Sequence, residues 1–334
     1  MVNRRHVTLV GFALVLGAVS GTATARLLSA SPRGQSQPSA PRVAPSKLTE
    51  PLATSTLHAT SVPKPVGLQW LDTADLGAAI SAIRTQTGSS VGVVVRPFSG
   101  AATFVTGNLL TGAAWSTIKV PIVVARYELA VEQGQATSQS LNALAQAAIT
   151  ESDNAAAAAL FDQIAAANGG VVGGSRYVQR ELAAAGDTHT VVNTLKSDPP
   201  WSTYGQTMWS LVGGTLFYRE LALRCVPPRA ETNVVLGLMR EITSSQRWGA
   251  GAAAWDAGTT VAFKGGWGPD TSGRYLVRQF AIIQGAGGRG FVVGLLAKAG
   301  DGTFASGTQV LSQLAAAVAR AAHPARSPIG RTCA

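Results

Sequence analysis

Ser116-Thr117-Ile118-Lys119, at the head of an apolar segment that runs to Glu132, is the stretch on which the reading of this chain turns. The pattern predicts a helix over residues 115–132, with Pro121 in the first turn, where a missing backbone N–H is tolerated. Residues three apart share a helix face, so Lys119 sits one turn from Ser116. A serine hydroxyl needs a base before it becomes a nucleophile. Lysine can serve once desolvation or a nearby positive charge lowers its pKa. Histidine offers little instead: His6, His58 and His323 fall outside or at the edge of the periodic part, which leaves His189 in a loop-like stretch.

Two further strings follow in order, Ser152-Asp153-Asn154 and Lys264-Gly265-Gly266. Each string alone has an ordinary reading. Ser116 could be an N-cap and Lys119 a solvated side chain, Ser152-Asp153-Asn154 a cap or turn, and Lys264-Gly265-Gly266 a strand end. Near matches also occur at Ser61-Val62-Pro63-Lys64, within a proline-rich stretch, and at Lys298-Ala299-Gly300. Order and structural context favour Ser116, Ser152 and Lys264.

Working outward, the 334 residues can bury a large core without staples or metals, and 13% charged with 46% hydrophobic residues marks a globular chain. Arg4 and Arg5, an apolar run over 7–20 and Ala23-Thr24-Ala25 read as an export signal over 1–25, or as an uncleaved membrane anchor. Seven prolines between Pro32 and Pro65 make 26–67 a tether, followed by a folded domain over 68–323 and a tail over 324–334. The expected location is the cell envelope or the exterior. Net charge is +10, or +8 once Arg4 and Arg5 leave with the signal. That suits an anionic wall polymer or a carboxylate-bearing substrate, whereas scattered arginines and the lack of a nucleic-acid motif argue against nucleic acid. Cys225 and Cys333, an even pair in an exported chain, suggest one disulfide; the alternative is two unpaired thiols.

Periodicity gives a helix from Leu71 to Gly88, strands over 91–96 and 101–106, and the helix carrying Ser116. An alanine-rich helical region over 141–167 is broken at Ser152, and helices follow over 176–185 and 208–223. Strands over 261–264, 276–284 and 291–298 precede a helix over 310–322. The expected class is therefore α+β, with an antiparallel sheet made from both chain ends beside a helical lobe.

With these strings on these elements, the chain from about Leu68 to Ala322 resembles the class A β-lactamase and penicillin-binding serine hydrolase superfamily. The resemblance implies Ser116 as nucleophile, Lys119 as general base, Ser152 as proton relay and Lys264 as an electrostatic group. It implies Asn154, Gly266 and Trp267 at the substrate, with the N–H groups of Ser116 and Trp267 as an oxyanion hole. It implies no cofactor or metal, and a monomer that takes a small β-lactam or a cell-wall peptide. Four departures stand out. The segment from Lys119 to Ser152 is short. No E-x-x-L-N string supplies the glutamate that activates the deacylating water: Glu181 falls in a helix, and Asp187 and Asp198 are the loop acids. Gly265 lacks the expected hydroxyl, for which Arg274 or Arg278 could compensate. Trp201 and Trp267 are bulky residues at the cleft. Acylation chemistry thus looks intact and deacylation impaired. The competing readings are a non-catalytic envelope protein that binds peptidoglycan, and an amidase or esterase on the same scaffold.

Overall fold

A computed structural model describes residues 67–333 apart from Ser197. The signal, the tether and the near match at Ser61 lie outside the described residues. Helix α1 (Thr73–Thr87) ends at Gly88, whose left-handed backbone (φ 60°) closes the helix and turns the chain into β1 (Ser90–Pro97). Val91, Val93, Val94 and Val95 are all buried there, as expected of a central strand covered on both faces. β2 (Phe104–Gly107) pairs with β1, and near the other end of the chain β5 (Thr260–Pro269), β6 (Tyr275–Gln284) and β7 (Gly290–Lys298) complete an antiparallel sheet ordered β2-β1-β7-β6-β5. A two-stranded ribbon, β3 (Thr111–Ala113) with β4 (Met208–Ser210), lies apart from it.

One face of the sheet is covered by α8 (Phe304–Ala321), against which α1 packs. The other face receives α6 (Leu211–Ala222), whose Gly214 lets it settle onto the sheet: a Cβ there would lie 2.0 Å from the Phe280 ring. Trp209, Tyr218 and Phe280 form an aromatic cluster at this contact. The helical lobe gathers α3 (Gln139–Gln146), α4 (Asn154–Ala167), α5 (Val171–Ala184) and α7 (Arg229–Arg240) around α2 (Lys119–Glu132), which is buried along most of its length. Among the described residues no single helix is long and apolar enough to cross a membrane.

Several elements differ from expectation. The segment around Ser116 is a 3-10 turn (Trp115–Ile118) that leads into α2. Lys264 does not end its strand; β5 continues to Pro269, with Lys264 near its middle. The segment beginning at Met208 starts as a strand because it pairs with β3, and becomes helical only at Leu211. The tail beyond Ala322 packs on the body: Arg289 bridges to Ile329, and Cys333 forms a disulfide with Cys225 (Cα–Cα 5.0 Å).

Candidate active site

Ser116 is held from three sides. A Cβ on Gly266 would lie 2.9 Å from Ala114 O and from the backbone nitrogens of Ser116 and Thr117, so β5 passes this close only because residue 266 is glycine. Behind the turn, the buried Tyr218 hydroxyl donates to Thr117 O at 3.0 Å. In front, Trp115 takes a positive φ of 46°, a conformation that costs a bulky residue and aims the next side chain outward. The Trp115 ring covers Gly268, where a Cβ would fall 2.5 Å from it.

Ser152 arrives from the helical lobe. A π-helical turn (Ala147–Glu151) closes with Ser152 in the left-handed region (φ 59°), and Asp153 then caps α4 by accepting from Ala156 N at 2.6 Å. This bend turns the Ser152 carbonyl and the Asn154 side chain toward α2. Lys119 Nζ donates to Ser152 O at 2.5 Å and to Asn154 Oδ1 at 2.7 Å, and lies 3.4 Å from Ser152 Oγ. Lys264 Nζ approaches from the sheet, donating to Ser152 Oγ at 2.9 Å and to Gly265 O at 3.0 Å. The two lysines therefore meet at one hydroxyl.

Both are buried, Lys119 at 2% exposure and Lys264 at 0%. Burial lowers the Lys119 pKa to about 8, partly offset by the Asp153 carboxylate. Burial, and after it the charge of Lys119, push Lys264 well down. Two ammonium groups on one hydroxyl repel, so the pair holds fewer than two protons near neutral pH. A neutral lysine is thus available as a base, and Ser152 Oγ can pass a proton between the two amines.

Lys119 and Ser152 line a cleft of about 510 Å³ with Ser116, Asn154, Trp201, Tyr204, Trp267 and Tyr275, and Lys264 reaches it through Ser152 Oγ. Lys196 also stands at this cleft, a residue the sequence reading passed over because no motif marks it. Among the described residues no carboxylate lines the cleft. Glu181 is buried on α5 in an ion pair with Arg180, and burial raises its pKa to about 7. Asp187 is buried and accepts from Thr190 and from Trp209 Nε1. Asp198 lies outside the cleft lining, and its backbone is tied to Gln206. His189 is exposed and does not line the cleft.

The compensation considered for Gly265 fails on geometry. Arg274 donates from Nη2 to Ala299 O and Gly300 O, and Arg278 is fully buried under the sheet face; neither lines the cleft. The space a side chain at residue 265 would need is occupied by Trp248, 2.5 Å from an ideal Cβ. Trp267 lines the cleft with its ring packed against Trp248 and Phe304. Trp201 instead meets Trp115 edge-on at 5.5 Å, at the cleft wall. Lys298, the rival third string, ends β7 in an ion pair with Asp270.

Comparisons with known proteins bear on the family and the fold. A family model described as the beta-lactamase enzyme family matches residues 130–322, more than half of the chain but beginning beyond Ser116 and Lys119. No curated protein matches the sequence. Among solved structures, a β-lactamase from Sphaerobacter thermophilus is similar at 19% identity and TM-score 0.59, covering 74% of this chain and 96% of that one. TLA-1 extended-spectrum β-lactamase is similar at 14% identity and TM-score 0.62, covering 74% and 98%. A class A β-lactamase from Mycobacterium abscessus is similar at 19% and 0.59, again covering 74% and 98%. At these identities the structures speak for the fold.

Proposed function

The chain belongs to the beta-lactamase enzyme family, and on that premise we propose that it is an exported active-site-serine hydrolase. It forms an acyl-enzyme on Ser116 with a β-lactam or a D-alanyl cell-wall peptide, and releases it slowly. The observation that carries this reading is the convergence of Lys119 and Lys264 on Ser152, in the cleft that holds Ser116.

Ser116 Oγ attacks the substrate carbonyl carbon while its proton passes to neutral Lys119 Nζ. The oxyanion is held by the backbone N–H groups of Ser116 and Trp267, on either side of Gly266. As the carbon–nitrogen bond breaks, Ser152 Oγ gives its proton to the leaving nitrogen and regains one from Lys119. The net movement is one proton from Ser116 to the amine, with an ester left on Ser116. Hydrolysis of that ester needs a base for water, and no carboxylate lines the cleft among the described residues. A missing general base removes about 10²–10⁴-fold of rate from the step it serves. Export is supported by the signal-like N-terminus, and a Cys225–Cys333 bridge suits an oxidising compartment.

A second reading, a binding module that retains the cleft for peptidoglycan, draws on Trp248 filling the space beside Gly265. Intact-protein mass spectrometry with a reporter penicillin, followed over time, separates them. A lasting adduct on Ser116 is the expected result. An adduct that appears and clears would overturn slow deacylation. No adduct, together with unchanged ligand affinity in Ser116→Ala, would leave the binding module.

A further inference from the structure

Arg278, on β6, is fully buried and has no part in the proton transfers above. In register it lies opposite Gly266. Alternation along paired strands puts Arg278 on the same sheet face as Lys264, Gly266 and Gly268, the face turned toward the nucleophile's turn. Its Nη1 donates to Gly112 O at 2.9 Å, to Ala113 O at 3.2 Å and to Trp209 O at 3.1 Å, so one nitrogen ties both ribbon strands to the sheet. Among the described residues no carboxylate pairs with it, and its Nε and Nη2 are buried without partners. The rings of Trp209 and Phe280 flank the guanidinium at 5.6 and 4.9 Å. Burial draws its pKa down to about 9, which leaves the charge in place at neutral pH.

We propose that Arg278 is a positioning residue for the nucleophile: its guanidinium clamps Gly112 and Ala113 and so fixes the turn that presents Ser116 to its oxyanion pocket. Only Ala114 and Trp115 separate the clamped carbonyls from Ser116. Trp115 holds a strained backbone, and strain of that kind persists only where the surroundings over-determine it. Gly266 presses on the turn from β5, Tyr218 holds Thr117 from behind, and Arg278 anchors the incoming strand. A lysine ammonium could meet carbonyls from one nitrogen, but it lacks the planar guanidinium that the Trp209 and Phe280 rings flank and so is not held in place in the same way. Misplacing a reacting group by about 1 Å can cost on the order of 10²-fold in rate.

The inference rests on acylation at Ser116, so the experiment has two arms. The first compares Arg278→Lys, which keeps the charge, and Arg278→Gln, which keeps a donor, with the parent. Non-covalent affinity and the acylation rate constant for a reporter penicillin are measured separately and normalised to folded protein by near-ultraviolet circular dichroism. Both variants are expected to acylate at least tenfold more slowly, with affinity within about twofold of the parent's. Acylation within threefold of the parent would overturn the clamp, as would a loss that appears wholly in affinity. The second arm needs no variant and no turnover: amide hydrogen exchange of Ala114 and Thr117, whose N–H groups donate to Thr207 O and Ala114 O, in the parent. Protection matching the core of β6 is expected, and exchange at the rate of a fraying surface turn would sink the proposal. A parent that fails to acylate would refute the proposed function while leaving this second arm to judge the clamp.

Discussion

At the scale of single residues, the site depends on which lysine carries a proton. Lys119 can accept from Ser116 only when neutral, and with its pKa lowered to about 8 roughly a tenth of it is neutral at pH 7. The acylation rate constant should therefore rise about tenfold between pH 7 and pH 9 and level off above, the limb belonging to the lysine pair rather than to one amine. A stopped-flow profile that stays flat across this range would contradict Lys119 as the base. Gly265 gives a second residue-level expectation. A side chain there would meet the Trp248 ring, so Gly265→Ser should lose about 1–3 kcal/mol by overpacking. In a Trp248→Leu background the same change should cost clearly less. Equal costs in both backgrounds, read from urea midpoints, would mean that the ring is not what excludes the hydroxyl.

At the scale of elements, the bend that delivers Ser152 is built by a cap. Asp153 accepts from Ala156 N and starts α4, so Asp153→Ala should cost about 1 kcal/mol of stability. It should also slow acylation, because Asn154 and the Ser152 carbonyl are two of the partners that hold Lys119; a variant with parental acylation would disconnect the cap from the site. The sequence made this region legible because Ser, Asp and Asn have few roles inside an apolar helical run. It could not reveal the π-helical turn that precedes Ser152, whose carbonyl accepts from Lys119. Gly265-Gly266 resembles a turn and so predicts an end to β5 at Lys264; pairing with β6 as far as Pro269 overrides that preference. Helix α7 is masked in the sequence by Pro227-Pro228, although Val235, Leu236 and Met239 recur on its buried face. The ribbon strands β3 and β4 are three residues each, too short for any period to register. Of the site, the residues carried by motifs were legible. Arg278 and Trp248 were not legible as supports of the site, since their roles depend on what lies across the sheet.

At the scale of the whole molecule, the two chain ends share one sheet and the tail is fastened to the body. Cys225 and Cys333 close a loop of 108 residues, so Cys333→Ser should lower stability by about 2–4 kcal/mol, seen as a shifted denaturant midpoint with little change in acylation. A midpoint equal to the parent's would show that the tail contributes nothing to holding the fold. The proposed export signal and tether fall on residues outside those described, and their test is the mass of the mature N-terminus. Among the described residues no carboxylate lines the cleft, and the slow release proposed on that ground would change what the molecule records. A fast hydrolase leaves its history in the medium, as spent substrate, and forgets each encounter. A protein that acylates and then stalls keeps the history on itself: the fraction of Ser116 occupied integrates past exposure to the acyl donor, one molecule per event, until new chains dilute it. Such a molecule is less a catalyst than a dosimeter.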